Sequence, residues 1–213
     1  MTYAVKEIFR SLQGEGFHAG RAAVFCRFSG CNLWSGQDGD RSAAVCGFCD
    51  TDFVGTDGAG GGAYSSAGAL ARAVADLLPR PAGPGVRPLL VLTGGEPLLQ
   101  VDAPLLAALR AEGFEVAVET NGTLPAPPGI DWVTVSPKAG ASLRQRSGDE
   151  LKLVFPQPGL DPEDFAGLPF THFFLQPLDG PRRDENARAA VTYCLDHPRW
   201  RLSLQMHKYL GIP

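Results

Sequence analysis

Cys31, Cys46 and Cys49 form a C-x14-C-x2-C set that runs directly into Asp50-Thr51. Three clustered thiolates can hold a metal centre and still leave one coordination position free. A closed four-ligand site is usually structural, whereas an open one binds and transforms another molecule. On spacing alone the set admits zinc, an iron–sulfur cluster or a chance grouping. A structural zinc would want a fourth ligand nearby, and the histidines are poorly placed: His18 precedes the segment, while His172, His197 and His207 lie far along the chain. Thr51 has two local readings, the cap of a turn or a ligand for a hard cation. A second group, Thr93-Gly94-Gly95-Glu96-Pro97, follows an apolar run at 89–92. Its glycines let the backbone come close to a ligand, and the Glu96 carboxylate is suited to an ammonium group.

These groups need elements to hold them. Residues 22–28 read as a strand, and a long Gly-rich loop carries the cysteines to about residue 63. Ser65 or Ser66 caps a helix whose stripe is Leu70, Val74, Leu77 and Leu78, with Pro79 and Pro81 ending it. The run 89–92 reads as a parallel strand covered on both faces, so the Gly-Gly-Glu turn emerges at its C-terminal end. Asp102 caps the next helix, Leu105, Leu106 and Leu109 face its core, and Gly113 ends it. Strands follow at 114–118, 132–135, 151–155 and 172–175, a helix at 186–195 and a last strand at 200–206. This βα alternation predicts an α/β fold, a modified, incomplete (β/α) barrel with a parallel sheet, a long cysteine-bearing loop and reactive loops at one rim.

Composition narrows the class of molecule. The 213 residues, 44% hydrophobic and 20% charged, suit a single domain spanning 1–213. A formal charge of −4 offers no general basic surface for a phosphate backbone, so the expected partner is a small molecule and not nucleic acid. No apolar run is long enough to span a membrane, and charges stand at the N-terminus where a signal peptide would be apolar, which points to the cytoplasm. Five cysteines in a reducing compartment read as ligands or core residues, and Cys26 and Cys194 fall on apolar patterns as core.

The cysteine loop and the Gly-Gly-Glu turn together resemble the radical S-adenosylmethionine enzymes. Their usual C-x3-C-x2-C motif is here replaced by a fourteen-residue first interval, which is similar to the 7-carboxy-7-deazaguanine synthase family. Segments 11–16 (SLQGEG), 119–123 (ETNGT), 136–138 (SPK) and 205–211 (QMHKYLG) resemble that family too, so the likeness spans nearly the whole chain. It implies a radical lyase that converts 6-carboxy-5,6,7,8-tetrahydropterin to 7-carboxy-7-deazaguanine and ammonia, a step toward queuosine-type deazapurines. It implies a [4Fe–4S] cluster on Cys31, Cys46 and Cys49, S-adenosylmethionine as a regenerated cofactor, Mg2+ at Thr51, an external electron donor and a homodimer.

The same resemblance assigns Phe48, Cys49, Asp50, Gly95, Glu96, Ser136, Pro137, Lys138 and Gln176 to the S-adenosylmethionine site. It assigns Leu12, Gln13, Gly14, Arg27, Thr93 and Pro213 to the substrate, with Arg27 suited to a bidentate clamp on the pterin carboxylate. Glu15 and Glu119 are charge partners for the pterin or organisers of their own loops, and His207 and Lys208 approach the substrate or finish a strand. No side chain is assigned as an acid–base or nucleophilic catalyst, because the cofactors carry the hard chemistry. A radical activating enzyme acting on a partner's glycine shares the cluster and the Gly-Gly-Glu turn. The long cysteine interval and Gln13-Gly14-Glu15-Gly16 speak for the small substrate instead.

Overall fold

The computed structural model describes residues 2–78 and 86–213, so the expected stop at Pro79 and Pro81 lies outside the described residues. Within them one sheet contains β1 (Tyr3–Leu12), β2 (Ala22–Phe28), β3 (Gly62–Tyr64), β4 (Leu89–Gly94), β5 (Glu115–Thr120), β6 (Trp132–Val135), β7 (Gly148–Phe155), β8 (Phe170–Pro177) and β9 (Trp200–Leu202). The order is β3-β1-β2-β4-β5-β6-β7-β8-β9. Neighbours from β2 to β9 are parallel, while β1 runs antiparallel to β2 and β3. With β3 and β9 at opposite edges, the sheet is open, an incomplete relative of a closed barrel.

Period-two alternation along the strands decides which side chains meet. Val24, Cys26 and Phe28 of β2, Leu90 and Leu92 of β4, and Val116 and Val118 of β5 face one side. There they pack under α1 (Ala67–Ala75) and α2 (Ala103–Ala111) through Leu70, Val74, Leu105 and Leu109. A second cluster joins Val135, Leu151, Leu153, Phe173 and Leu175 to Ala190 and Trp200, beneath α4 (Arg183–Asp196). Each large side chain buried this way contributes about 1.5–3 kcal/mol. The intervening residues, Arg27, Thr93, Glu119, Thr134 and Lys152, lie on the opposite face. Register sets Arg27 beside Thr93, Glu119 beside Thr134, and Thr134 beside Glu150.

The helix starts follow local chemistry. Ser66 Oγ accepts from Ala69 N at 3.2 Å, and Asp102 accepts from Leu105 N at 3.0 Å. The Tyr3 hydroxyl also donates to Asp102 at 2.7 Å, tying β1 to α2 across the core. Asp102→Ala is therefore expected to cost about 1–2 kcal/mol, because it removes a cap and strands a mostly buried hydroxyl. Urea unfolding of Asp102→Ala and Asp102→Asn checks this, with the asparagine recovering most of the loss.

Several elements differ from the sequence expectation. The first strand, β1, was unforeseen because Lys6, Glu7 and Arg10 break its apolar pattern. Lys6 is neutralised by Asp52 and Asp57 at 2.9 and 2.8 Å, and Glu7 by Arg27 at 2.7 Å. The strand expected at 200–206 stops at Leu202. Beyond it Met206 N donates to Gly14 O at 3.0 Å and α5 (Met206–Leu210) begins, which turns the C-terminal segment over the sheet's polar face. The cysteine loop contains a 3-10 turn at Asp38–Ala43, and a short helix, α3 (Glu163–Ala166), precedes β8.

Candidate active site

The polar face of the sheet, the cysteine loop and the C-terminal segment enclose one cavity of about 360 Å³. Cys31, Cys46, Phe48, Cys49, Asp50 and Thr51 line one end. Leu12, Gln13, Gly14, Glu15, Arg27, Thr93 and Glu119 line the other, and Ser136, Lys138, Gln176, His207, Lys208 and Pro213 complete the wall. The tertiary fold thus gathers segments that span nearly the whole chain.

The cysteines reach the cavity because glycines let the loop lie on the strand end. Gly94 has φ +126°, and a Cβ there would be 2.6 Å from Phe28 N. A Cβ on Gly95 would strike the Gly30 carbonyl and sit 2.9 Å from Cys31 Cβ. The pair therefore makes room for Cys31 as well as lining the cavity. Glu96 N then donates to Gly30 O at 2.9 Å.

The Glu96 side chain turns away from the cavity. It is fully buried, and its carboxylate accepts from Thr120 Oγ1 at 2.7 Å, Asn121 N at 2.8 Å and Leu98 N at 3.0 Å. Burial pushes this carboxyl up against those three donors. Glu96 staples the end of β4 to the end of β5. Pro137 likewise does not line the wall, although Ser136 and Lys138 on either side of it do.

At the cysteine end, a hydrogen bond from the Cys46 thiol brings Cys49 down to about 6, while that bond and burial push Cys46 up. Burial also raises Cys31, opposed by the Leu33 N–H, 3.4 Å from its sulfur. Lys138 donates to Ser136 O and Oγ at 2.6 and 2.7 Å. Burial lowers its ammonium, and the neighbouring Cys46 and Cys49 favour its charge. Among the described residues no three His, Cys, Asp or Glu side chains converge on the position of a single ion. The donor chemistry instead fits a thiolate-held cluster: three cysteine sulfurs on one wall with the Lys138 ammonium beside them. Cys26 lies outside this group, fully buried in the apolar core, where burial raises its thiol.

At the other end, Lys152 pairs with Glu15 and stands 3.9 Å from Glu119. Glu15 also accepts from Gln176 Nε2 and Gln205 Nε2, each at 3.2 Å. Burial alone would raise Glu15, but the Lys152 ammonium outweighs it and holds the carboxyl below its ordinary value. Glu119 accepts from Gln13 Nε2 at 3.0 Å and Thr93 Oγ1 at 3.1 Å. The result is a preorganised row of hydrogen-bonding groups in which Glu15 is kept ionic by Lys152. Arg27 commits only its Nε, to Glu7 at 2.7 Å, so its terminal nitrogens can serve an anion.

The C-terminal segment closes this wall with charge. Lys208 bridges Asp50 and Asp179 at 2.5 Å each, and Ser11 Oγ donates to a Pro213 oxygen at 2.8 Å. Lys152, Gln205 and Asp179 were not singled out from sequence. A signal for Lys152 existed: a lone charge in the otherwise apolar run Leu151-Lys152-Leu153-Val154, on the phase opposite to the core leucines. Gln205 carried a weaker one, as the first residue of the family-like segment 205–211, and Asp179 had none, since its role depends on where Lys208 is carried.

No family model matches the chain. Curated relatives match it over its full length and theirs: 7-carboxy-7-deazaguanine synthases of Caulobacter vibrioides (63% identical), Bordetella pertussis (62%) and Nitratidesulfovibrio vulgaris (62%). Among solved structures, the crystal structure of QueE from Escherichia coli matches with a TM-score of 0.70 and 27% identity, covering 97% of this chain and 95% of that one.

Proposed function

The chain belongs to the 7-carboxy-7-deazaguanine synthase family, and from that premise we propose that it contracts the ring of 6-carboxy-5,6,7,8-tetrahydropterin to 7-carboxy-7-deazaguanine with loss of ammonia. The observation that carries the reading is the single cavity joining Cys31, Cys46 and Cys49 to Gln13, Glu15, Arg27 and Thr93. A cluster-held S-adenosylmethionine would supply the hydrogen-abstracting radical when bound.

The chain's own residues bind, orient and exclude water. Arg27 offers a fork to the substrate carboxylate, and its tie to Glu7 holds the fork in place. Glu15 and Glu119, braced by Lys152, accept from N–H groups along the heterocycle edge. Gln13 is oriented by donating to Glu119, while its Oε1 accepts from Glu15 N at 3.1 Å. Such positioning is the protein's main catalytic contribution, because a radical must meet one C–H bond at contact range.

Phe48, Ser136, Lys138 and Gln176, together with the Gly94-Gly95 backbone, form the wall assigned to S-adenosylmethionine. Thr51 is assigned to Mg2+, beside Asp50 and within the same cavity. An external reductant, a homodimer and a cytoplasmic setting complete the reading, with residues 1–213 acting as one radical S-adenosylmethionine domain. No described helix is long and apolar enough to cross a membrane.

Anaerobic reconstitution with iron and sulfide, then incubation with the carboxytetrahydropterin, S-adenosylmethionine, magnesium and a reductant, should yield deazaguanine product and ammonia in equal amounts. S-adenosylmethionine should be largely recovered. A protein with verified iron and sulfide that forms no deazaguanine product would overturn the reading.

A further inference from the structure

The fourteen residues between the first two cysteines build a small structure of their own. Trp34 is buried and packs edge-on against Phe53, with ring centroids 5.7 Å apart. Its Nε1 donates to Gln37 O at 3.2 Å and Asp40 Oδ1 at 3.1 Å, and Ser35 Oγ donates to Asp40 Oδ2 at 2.6 Å. Val45 N donates to Leu33 O at 3.1 Å and closes the segment on itself. The 3-10 turn at Asp38–Ala43 then sets Arg41 over the Trp34 ring, its guanidinium carbon 4.0 Å from the centroid.

From that seat Arg41 reaches the backbone that carries the other two cysteines. Its Nη1 donates to Gly47 O at 3.1 Å and Cys49 O at 3.0 Å, while Nε and Nη2 hold Asp38 at 3.1 and 3.0 Å. Gly47 is required by the same closeness, because a Cβ there would be 2.9 Å from Arg41 O. One nitrogen of the planar fork thus holds, by two bonds, a turn whose thiols face the cavity, while the other two are fixed by Asp38.

We infer that Arg41 is a positioning residue for the cluster: it locks the Cys46–Cys49 turn in its ligand-presenting conformation and makes the long cysteine interval a built-in clip. Two consequences follow. The carbonyls of Gly47 and Cys49 are committed to the guanidinium and so kept from turning toward a negatively charged cluster. The guanidinium also sits on the carbonyl of a ligand residue, and its charge, only partly offset by the exposed Asp38, favours the more negative, reduced state. Lysine cannot reproduce this, since an ammonium lacks the planar fork that reaches two carbonyls, a carboxylate and an aromatic face together.

The test uses the anaerobically reconstituted full chain and its Arg41→Met and Arg41→Lys variants. Iron loss to an added chelator is followed in each, alongside thermal unfolding and a redox titration read by electron paramagnetic resonance. Arg41→Met should lose iron on the order of tenfold faster or more, as for other groups that support metal ligands. Its cluster should reduce at a lower potential, with Arg41→Lys intermediate in iron loss. The proposal is overturned if Arg41→Met keeps iron and potential like the parent, or if iron loss rises only in step with lost thermal stability. Because the inference rests on the cluster reading, a reconstituted parent without iron and sulfide would instead count against that reading.

Discussion

Replacing Lys152 with methionine is expected to destabilise the fold by about 3–5 kcal/mol and to move the acid limb of activity to higher pH. The size follows from breaking a buried ion pair on one side, which leaves charge without compensation. Lys152 has 7% of its side chain exposed, and Glu15 15%. Glu150, 3% exposed, adds a third carboxylate facing the ammonium, and burial pushes that carboxyl up. Around Lys152 the charges are therefore Glu15, Glu119 and Glu150, with Lys138 as a more distant neighbour.

The sign of the pH effect comes from Glu15. In the parent its carboxyl is held below its ordinary value, so it stays ionised through neutral pH. Without the ammonium, burial dominates and raises it, and the ionised form is lost as pH falls through the new value. A neutral acid keeps an acceptor oxygen but loses the charge that strengthens its bonds to Gln176, Gln205 and a heterocycle N–H, and it sets an O–H donor among groups that need an acceptor. Urea unfolding and a pH profile of kcat/KM measure the two halves of the prediction. Lys152→Met combined with Glu150→Gln should recover part of the stability, because one uncompensated carboxylate is removed. A loss under about 1 kcal/mol would mean that water screens the network as it does a surface pair.

Cys46→Ala should leave the chain folded yet unable to retain a full complement of iron and sulfide, with turnover reduced on the order of 10³-fold or more, since the cofactor carries the chemistry. Cys26→Ala provides the contrast. Cys26 is fully buried between β2 and the helices, so its truncation should cost about 1 kcal/mol or more of stability while iron, sulfide and turnover per folded molecule stay unchanged. Iron and sulfide analysis of both variants, beside the parent, separates ligand from core residue. Equal cluster content in Cys46→Ala and the parent would remove Cys46 from the cluster site.

Much of the architecture was legible in local sequence. Ser66 and Asp102 announce helix starts through side chains that bond the next turn, and the leucines at 105, 106 and 109 show the buried stripe. The strands at 22–28 and 132–135 coincide with β2 and β6. Alternation even separates Leu90 and Leu92 from Thr93, and Val118 from Glu119. The strand β1 was not legible, since its charges are neutralised by Asp52, Asp57 and Arg27, which lie beyond any local window.

By itself the sequence determined the cysteine set, the glycines of the strand-end turn and the polar phase of strands such as β4 and β5, because these depend on spacing, backbone freedom and period-two geometry within a few residues. Only the tertiary structure decided that Gly95 makes room for Cys31, that Glu96 turns inward to Thr120 and Asn121, and that Lys152 balances Glu15 across 137 positions of sequence. It also decided that the chain after Leu202 bends into α5 and carries Lys208 to Asp50. The physical reason is that burial and pairing fix a charged group's role, and both are properties of what the folded chain brings against it.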